Sequence, residues 1–505
     1  MRSNVRQRAK MKQQAARSLA RWATLVAAMC VVLSILSSCT RRSDDAPSPV
    51  ALPESFSASG EAAAPEQWWT SFGDPGLDRF IEQALEGNFS LRIAWDRLDQ
   101  ARAVARKTGA ALWPDVEAGA SASRSEQEPN ESDRSDSEYA LGLAASYEVD
   151  LWGRVRSRRD AARLDAHAAG RELHAAAITL TAEVARTWFQ LIERHTQLAL
   201  LDEQIEANAK YLDVITLQFR RGQASATDVL QQRQLVESVR GERLLVESDA
   251  MVLEHQLAVL VGRAPGTLTL DVPRALPSLP PMPRTGVPAE LVRYRPDIRA
   301  AELAIRAADR RVAEAIADRF PRLGLTLNAN TSADEVGGLF DSWLATLVAN
   351  LTAPLFDAGG RRAEVERTRA VLSEQVNTYG AAVLAALKEV EDVLAQEAKQ
   401  AEYVASLRTQ LGLSEQATTQ TLNDYRTGAS DFTRYLTTLL SHQRLQRTFV
   451  QAELQLVLYR IGLYRALAGA WELPRPWDPA LDQPPEIEPD QPDEHAPVTE
   501  SGSRR

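Results

Sequence analysis

A chain of 505 residues carrying a formal net charge of −10 is not balanced for nucleic-acid binding. Its mean hydropathy of −0.29 excludes a polytopic helical membrane protein. Two cysteines exclude a disulfide framework or a cysteine-based zinc site, and six histidines argue against histidine-rich metal chemistry.

The basic charge is concentrated at the N-terminus. Residues 1–38 carry seven basic residues and no acid, so the remainder stands at −17. An apolar run from Trp22 to Leu36 follows, too short for a comfortable membrane helix and suited to the core of an export signal. It ends in Leu36-Ser37-Ser38-Cys39, which resembles a bacterial lipobox. The resemblance implies cleavage before Cys39 and diacylglycerol on its sulfur. Thr40 stands where an Asp would favour retention at the inner membrane, which implies delivery to the outer one. An ordinary secretory signal is the alternative. Residues 39–66 then read as a lipidated linker, and several acyl chains would anchor stably at about 0.8 kcal/mol per buried CH₂.

The rest is a duplication. Pro114 and Pro321, Asp150 and Asp357, and Gly262 and Gly469 are each 207 apart, and Gly222 and Gly428 are 206 apart. Seven prolines between Pro265 and Pro288 mark a linker over 265–288 between repeats at 67–264 and 289–471. In the first repeat the pattern predicts a helix over Leu91–Leu112 and a strand over 115–124. Next come a polar acidic loop over Arg124–Glu138, a strand over 139–149, and helices over Arg154–Arg221 and on to Gly262. In the second, strands are expected over 322–331 and 342–355, with helices over Arg361–Arg426 and on to Gly469.

Each strand alternates, with Val116, Ala118, Ala120 and Ala122 on one face of the first. About ten residues per strand suits a tilted membrane strand, although a hairpin on a soluble sheet alternates in the same way. The long helices are free of proline and keep an apolar step of three and four through Leu180, Val184, Leu191, Leu201, Ile215 and Phe219. Asp150 with Gly153 and Asp357 with Gly360 sit where strand becomes helix, a place that needs a cap and a permissive backbone. From Glu472 onward, nine acids, three bases and eight prolines read as a disordered tail over 472–505. His167 and His174 lack a metal-binding partner set. No Gly-rich phosphate loop or nucleophile elbow is present, so neither cofactor nor enzyme activity is expected.

WWTSFGDPGLDRF, ALWPDVEAGAS, YEVDLWGR, RYRPDIRAAE, PLFDAGGRR, YRTGAS and LYRALAGAW occur in one order over 68–471. This set resembles the TolC-like outer-membrane factors, in particular the lipoproteins of tripartite drug efflux systems. The resemblance implies a mainly α protein with a membrane β-barrel contribution. It implies a homotrimer with four strands per protomer in a 12-stranded barrel above a long-helix α-barrel. The partners would be a periplasmic adaptor, an inner-membrane pump and outer-membrane lipid, and small molecules such as drugs would pass through passively. Export of proteins or metal ions is a rival, and a coiled-coil lipoprotein scaffold is another.

The family positions its periplasmic aperture where the long helices turn. That maps onto Tyr425, Ser430, Arg434 and Thr437 in the second repeat, with Phe219, Ala224, Asp228 and Gln231 in the first. Arg434 departs from the acid often found there. It is expected to pair with Asp431 or Asp228, unless those aspartates cap the following helices.

Overall fold

The computed structural model describes residues 50–63, 65–127 and 134–467. The export signal, Cys39, Gly469 and the acidic tail lie outside the described residues.

A helix not expected from the sequence, α1 (Pro75–Gly87), opens the first repeat. Asp74 starts it by accepting from the Gly76 and Leu77 amides at 2.8 and 3.1 Å, and Pro75 supplies the first turn. Leu77, Phe80, Ile81 and Ala84 then fall on one face and are buried. Helix α2 (Phe89–Ala110), strands β1 (Asp115–Gln127) and β2 (Arg134–Val149), and helices α3 (Arg154–Arg220) and α4 (Ala226–Leu260) follow. The second repeat adds α5 (Pro288–Tyr294), α6 (Pro296–Ala317), β3 (Arg322–Ala333), β4 (Leu344–Thr352), α7 (Gly360–Arg426) and α8 (Phe432–Leu467). Helices α3 and α7 are 67 residues each, about 100 Å at 1.5 Å per residue.

The heptad stripe of α3 is the spine. Val184 and Leu191 are fully buried, as is Leu201, because α3 packs on α2, α4, α6 and α8. Phe219, at the end of the stripe, is exposed. Midway along α3, Trp188 and Phe189 meet the Trp68–Trp69–Phe72 turn and Tyr464 of α8. The Trp188 indole donates to Asp74 at 2.8 Å, which ties the α1 cap to the spine. Lower down, the polar members of the stripe also find partners. Asn208 exchanges amide hydrogen bonds with Gln443 at 3.3 Å, and Gln232 donates to the Asn208 carbonyl at 2.8 Å. The reciprocal Asn208–Gln443 pair fixes helix register at little net cost, while the buried Gln232 amide oxygen has no partner among the described residues.

One four-stranded antiparallel sheet runs in the order β1-β2-β3-β4. It corrects two boundaries. The segment Arg124–Glu138, expected as a loop, is paired through Arg124↔Ser137 to Gln127↔Arg134. Backbone pairing is indifferent to side-chain polarity where a hairpin projects into water. Strand β4, expected to reach 355, ends at Thr352, because Pro354 lacks the N–H a ladder needs.

Arg460 and Glu397 form a buried pair, 3.0 Å from Nε to Oε2, and Arg460 also donates to the Pro280 carbonyl of the inter-repeat linker. Glu397→Ala strands that arginine and should cost about 3–5 kcal/mol, read as a lower thermal midpoint. Glu397→Leu combined with Arg460→Met should recover most of the loss.

Candidate functional site: the membrane sheet and the helical turns

The register of the three ladders aligns side chains across the whole sheet. Ala118 opposes Leu143, Leu143 opposes Ala329, and Ala329 opposes Ala345. One face therefore carries Val116, Leu141, Leu143, Val149, Leu323, Leu325, Leu327, Leu347 and Leu351, which are apolar throughout. The other carries Glu117, Ser121, Ser146, Thr326, Asn328 and Asn350. Leu347 and Leu351 are each 70% exposed, so nothing among the described residues covers that part of the apolar face. An uncovered apolar face of this breadth is a surface for lipid, and the polar face is suited to a watery lumen.

Aromatic side chains mark both rims. On the helix side, Trp113 precedes β1, Trp152 follows β2, Phe320 precedes β3 and Phe356 follows β4. Trp152 stacks on Phe320 with centroids 4.9 Å apart and donates to the Pro321 carbonyl at 2.7 Å. On the opposite rim stand Tyr139, Phe340 and Trp343, the last 73% exposed. Two aromatic bands bracket the apolar face, as membrane interfaces require. The helix-side band was missed, although an aromatic residue lies two to four positions beyond each of the four strand ends.

Both strand-to-helix junctions are capped by the aspartates singled out from the sequence. Asp150 accepts from the Val155 and Arg156 amides at 3.1 and 2.9 Å and from the Arg156 guanidinium at 3.1 Å. Asp357 accepts from the Gly359 and Arg361 amides at 3.0 and 3.1 Å. Burial alone would raise the Asp150 carboxyl, but these donors together hold it below the usual range. The left-handed residue before each helix is Gly153 at φ 75° and Gly359 at φ 86°. Gly360, the expected counterpart of Gly153, is instead the first residue of α7. The duplication has slipped by one position there.

At the far end, Gly222 and Gly428 adopt φ 74° and 76° and close α3 and α7. The next helices are then capped by the candidate aperture acids. Ser225 and Asp228 form a reciprocal capping box at 3.1 and 2.9 Å. Asp431 accepts from the Arg434 amide at 2.8 Å. The expected pairing of the Arg434 side chain with Asp431 or Asp228 is absent within the chain. Its guanidinium is exposed and makes no ion pair among the described residues. Tyr425 donates to the Gln218 side chain at 2.8 Å and packs on Phe432 at 5.5 Å, joining the two turns. Burial first, and Asp228 second, push its phenol up. Ser430 has a buried hydroxyl with no partner among the described residues, and Thr437 donates back to the Thr433 carbonyl at 2.8 Å. Phe219 is exposed, while Ala224 and Gln231 lie beside the first turn.

The outer membrane efflux protein profile matches residues 80–263 and again 287–469. The chain belongs to the outer membrane efflux protein family. It is 30% identical over 440 residues to the pyoverdine export outer membrane protein OpmQ of Pseudomonas putida, covering 84% of this chain and 92% of that protein. It is 32% identical to the outer membrane protein OprJ of Pseudomonas aeruginosa, over 80% of this chain and 86% of that one. The solved outer membrane channel MtrE of Neisseria gonorrhoeae superposes with a TM-score of 0.76 at 27% identity, covering 85% of this chain and 98% of that one. In this efflux protein, then, the four-stranded sheet is a membrane β-barrel contribution and the long helices are the α-barrel. The protein is an outer-membrane exit duct of an efflux system.

Two substitutions test the faces. Leu347→Arg, on the lipid face, should cost about 2–4 kcal/mol in the folded, inserted protein, and Thr346→Arg beside it should cost little. A reversible unfolding titration from vesicles reads both. The Asp150 cap carries a pH signature as well. Its pKa is lowered in the folded state, so its contribution is present above the ordinary aspartate value of 3.8 and lost as pH falls through the folded value. Asp150→Ala should lower stability by about 0.5–2 kcal/mol at neutral pH, and the gap to wild type should close in acid.

Proposed function

We propose that three copies close this duct, that Cys39 carries its lipid anchor, and that small organic solutes cross it passively. The observation that supports this is the pair of open edges. β1 and β4 each end the sheet with one side unpaired among the described residues. Exposed N–H and C=O groups in lipid cost several kcal/mol each, so a membrane sheet has to close. Four strands are too few to close on themselves, and twelve from three copies form a barrel of ordinary size. OpmQ of Pseudomonas putida is described as a pyoverdine exporter and TtgI of the same species as part of a toluene efflux pump. Both descriptions favour small organic cargo.

The turns at Gly222 and Gly428 would receive a periplasmic adaptor, with an inner-membrane pump behind it supplying the energy. Arg434 has no acid partner among the described residues, and Asp228 and Asp431 are occupied as caps. Its partner would therefore lie in a neighbouring copy, where each exposed pair contributes about 0–1 kcal/mol to a closed tip. Tyr425, Ser430 and Thr437 stand within the same two turns.

The test is electrical. Full-length protein in a planar bilayer should give long-lived conductance steps and behave as a trimer by mass in detergent. Arg434→Ala should conduct more than wild type. Equal conductance removes Arg434 from the aperture, and a monomer without steps contradicts the duct. Cys39→Ser should lose labelling by radioactive palmitate.

A further inference from the structure

The helix-side rim of the sheet has a charge opposite to that of the chain. The ten residues on the helix side of each rim aromatic, inclusive, are 104–113, 152–161, 311–320 and 356–365. Together they hold ten arginine or lysine residues against five acids. The protein as a whole stands at −10. The far rim is the reverse. The side chains described there, at 124, 137–138 and 334–341, hold four acids against one arginine. Six of the ten cations, Arg154, Arg156, Arg159, Arg311, Arg361 and Arg362, are paired with acids inside the chain.

Several of these cations are not committed inside the chain. Arg106 and Lys107, near the end of α2, lie seven and six residues before Trp113, and Arg319 adjoins Phe320. All three are exposed and make no ion pair among the described residues. Arg158 is also exposed and reaches Glu314 only at 4.0 Å. At 1.5 Å per helical residue, Arg106 and Lys107 stand about 10 Å from the aromatic band. That is within the length of the side chain plus one Debye length at physiological salt, so a headgroup layer at the band lies in their field.

We propose that this basic rim binds anionic phospholipid headgroups in the leaflet on the helix side of the membrane. It selects phosphate-bearing lipids with net negative charge over zwitterionic ones. The proposal rests on the membrane placement of the sheet and adds to it the class of lipid. Guanidinium and ammonium groups just below an interfacial aromatic band meet phosphate at the depth where it lies, while the band itself holds the glycerol region. The acidic far rim repels the same headgroups. The two rims together fix which end of the sheet faces which leaflet.

Full-length protein reconstituted in phosphatidylcholine vesicles provides the test, with Trp113 and Trp152 as reporters in the rim. Brominated phosphatidylglycerol should quench tryptophan fluorescence with an apparent affinity about fivefold above that of brominated phosphatidylcholine, the equivalent of one basic residue at a lipid surface. Raising KCl should erode the preference. The triple variant Arg106→Gln, Lys107→Gln, Arg319→Gln should lose it while phosphatidylcholine still quenches. Equal quenching by both lipids in the wild type overturns the proposal, as does a preference that ignores KCl or survives in the triple variant. Loss of preference on adding inorganic phosphate, but not chloride of matched ionic strength, marks a free-phosphate site and also overturns it. Absence of quenching by either lipid would instead remove the membrane placement itself, and the proposal with it.

Discussion

Backbone hydrogen bonding in lipid is the constraint on which the rest of this structure depends. The apolar face made by β1 to β4 is left uncovered by the described residues, and a face of that kind is stable only in hydrocarbon. Once it is there, every N–H and C=O of the sheet needs a partner, and the outer edges of β1 and β4 have none among the described residues. The two aromatic bands set the depth of the sheet. The junction caps at Asp150 and Asp357 then turn each repeat from strand to helix within a few residues, so the long helices leave the membrane directly.

The helices meet a different constraint. A 67-residue helix cannot keep one face inward at 3.6 residues per turn, so its core stripe steps at 3.5 and the neighbours wind around it. Aliphatic residues hold the upper part, through Val184 and Leu191. Buried amides hold the lower part, where Asn208, Gln232 and Gln443 fix the register. The aromatic residues Tyr211, Tyr425, Phe432 and Tyr435 then close the far end, with Tyr211 and Tyr435 5.4 Å apart. The end where the helices turn is thus locked within the chain by rings and caps, and Arg434 is left as a group directed outward.

Much of this was legible in the sequence, and the unread parts have physical reasons. Period-2 alternation in Leu323 to Ala329 and period-3.5 steps in α3 are long signals that local errors do not erase. The duplication at 207 doubled each of them. The helix α1 is short, and its Asp74-Pro75 start was quoted as a motif without being read as a cap. The strand extension past Arg124 was hidden because acidic residues in water carry no burial pattern. At the candidate site, the positions of Asp228 and Asp431 were readable, but the sequence left capping and pairing with Arg434 both open. A capping aspartate and a gating aspartate look alike in sequence, and the amides they bind decide between them. Gly359 rather than Gly360 takes the left-handed position, because the junction has slipped by one residue from the 207 offset.

The central claim is that one face of the sheet meets lipid and the other meets water. Single cysteines placed one at a time over residues 345–350, in a chain whose Cys30 and Cys39 are replaced, test it directly. A membrane-impermeant maleimide applied to reconstituted protein should label positions 346, 348 and 350 and spare 345, 347 and 349. Uniform labelling along β4, or labelling with the opposite phase, would contradict the account.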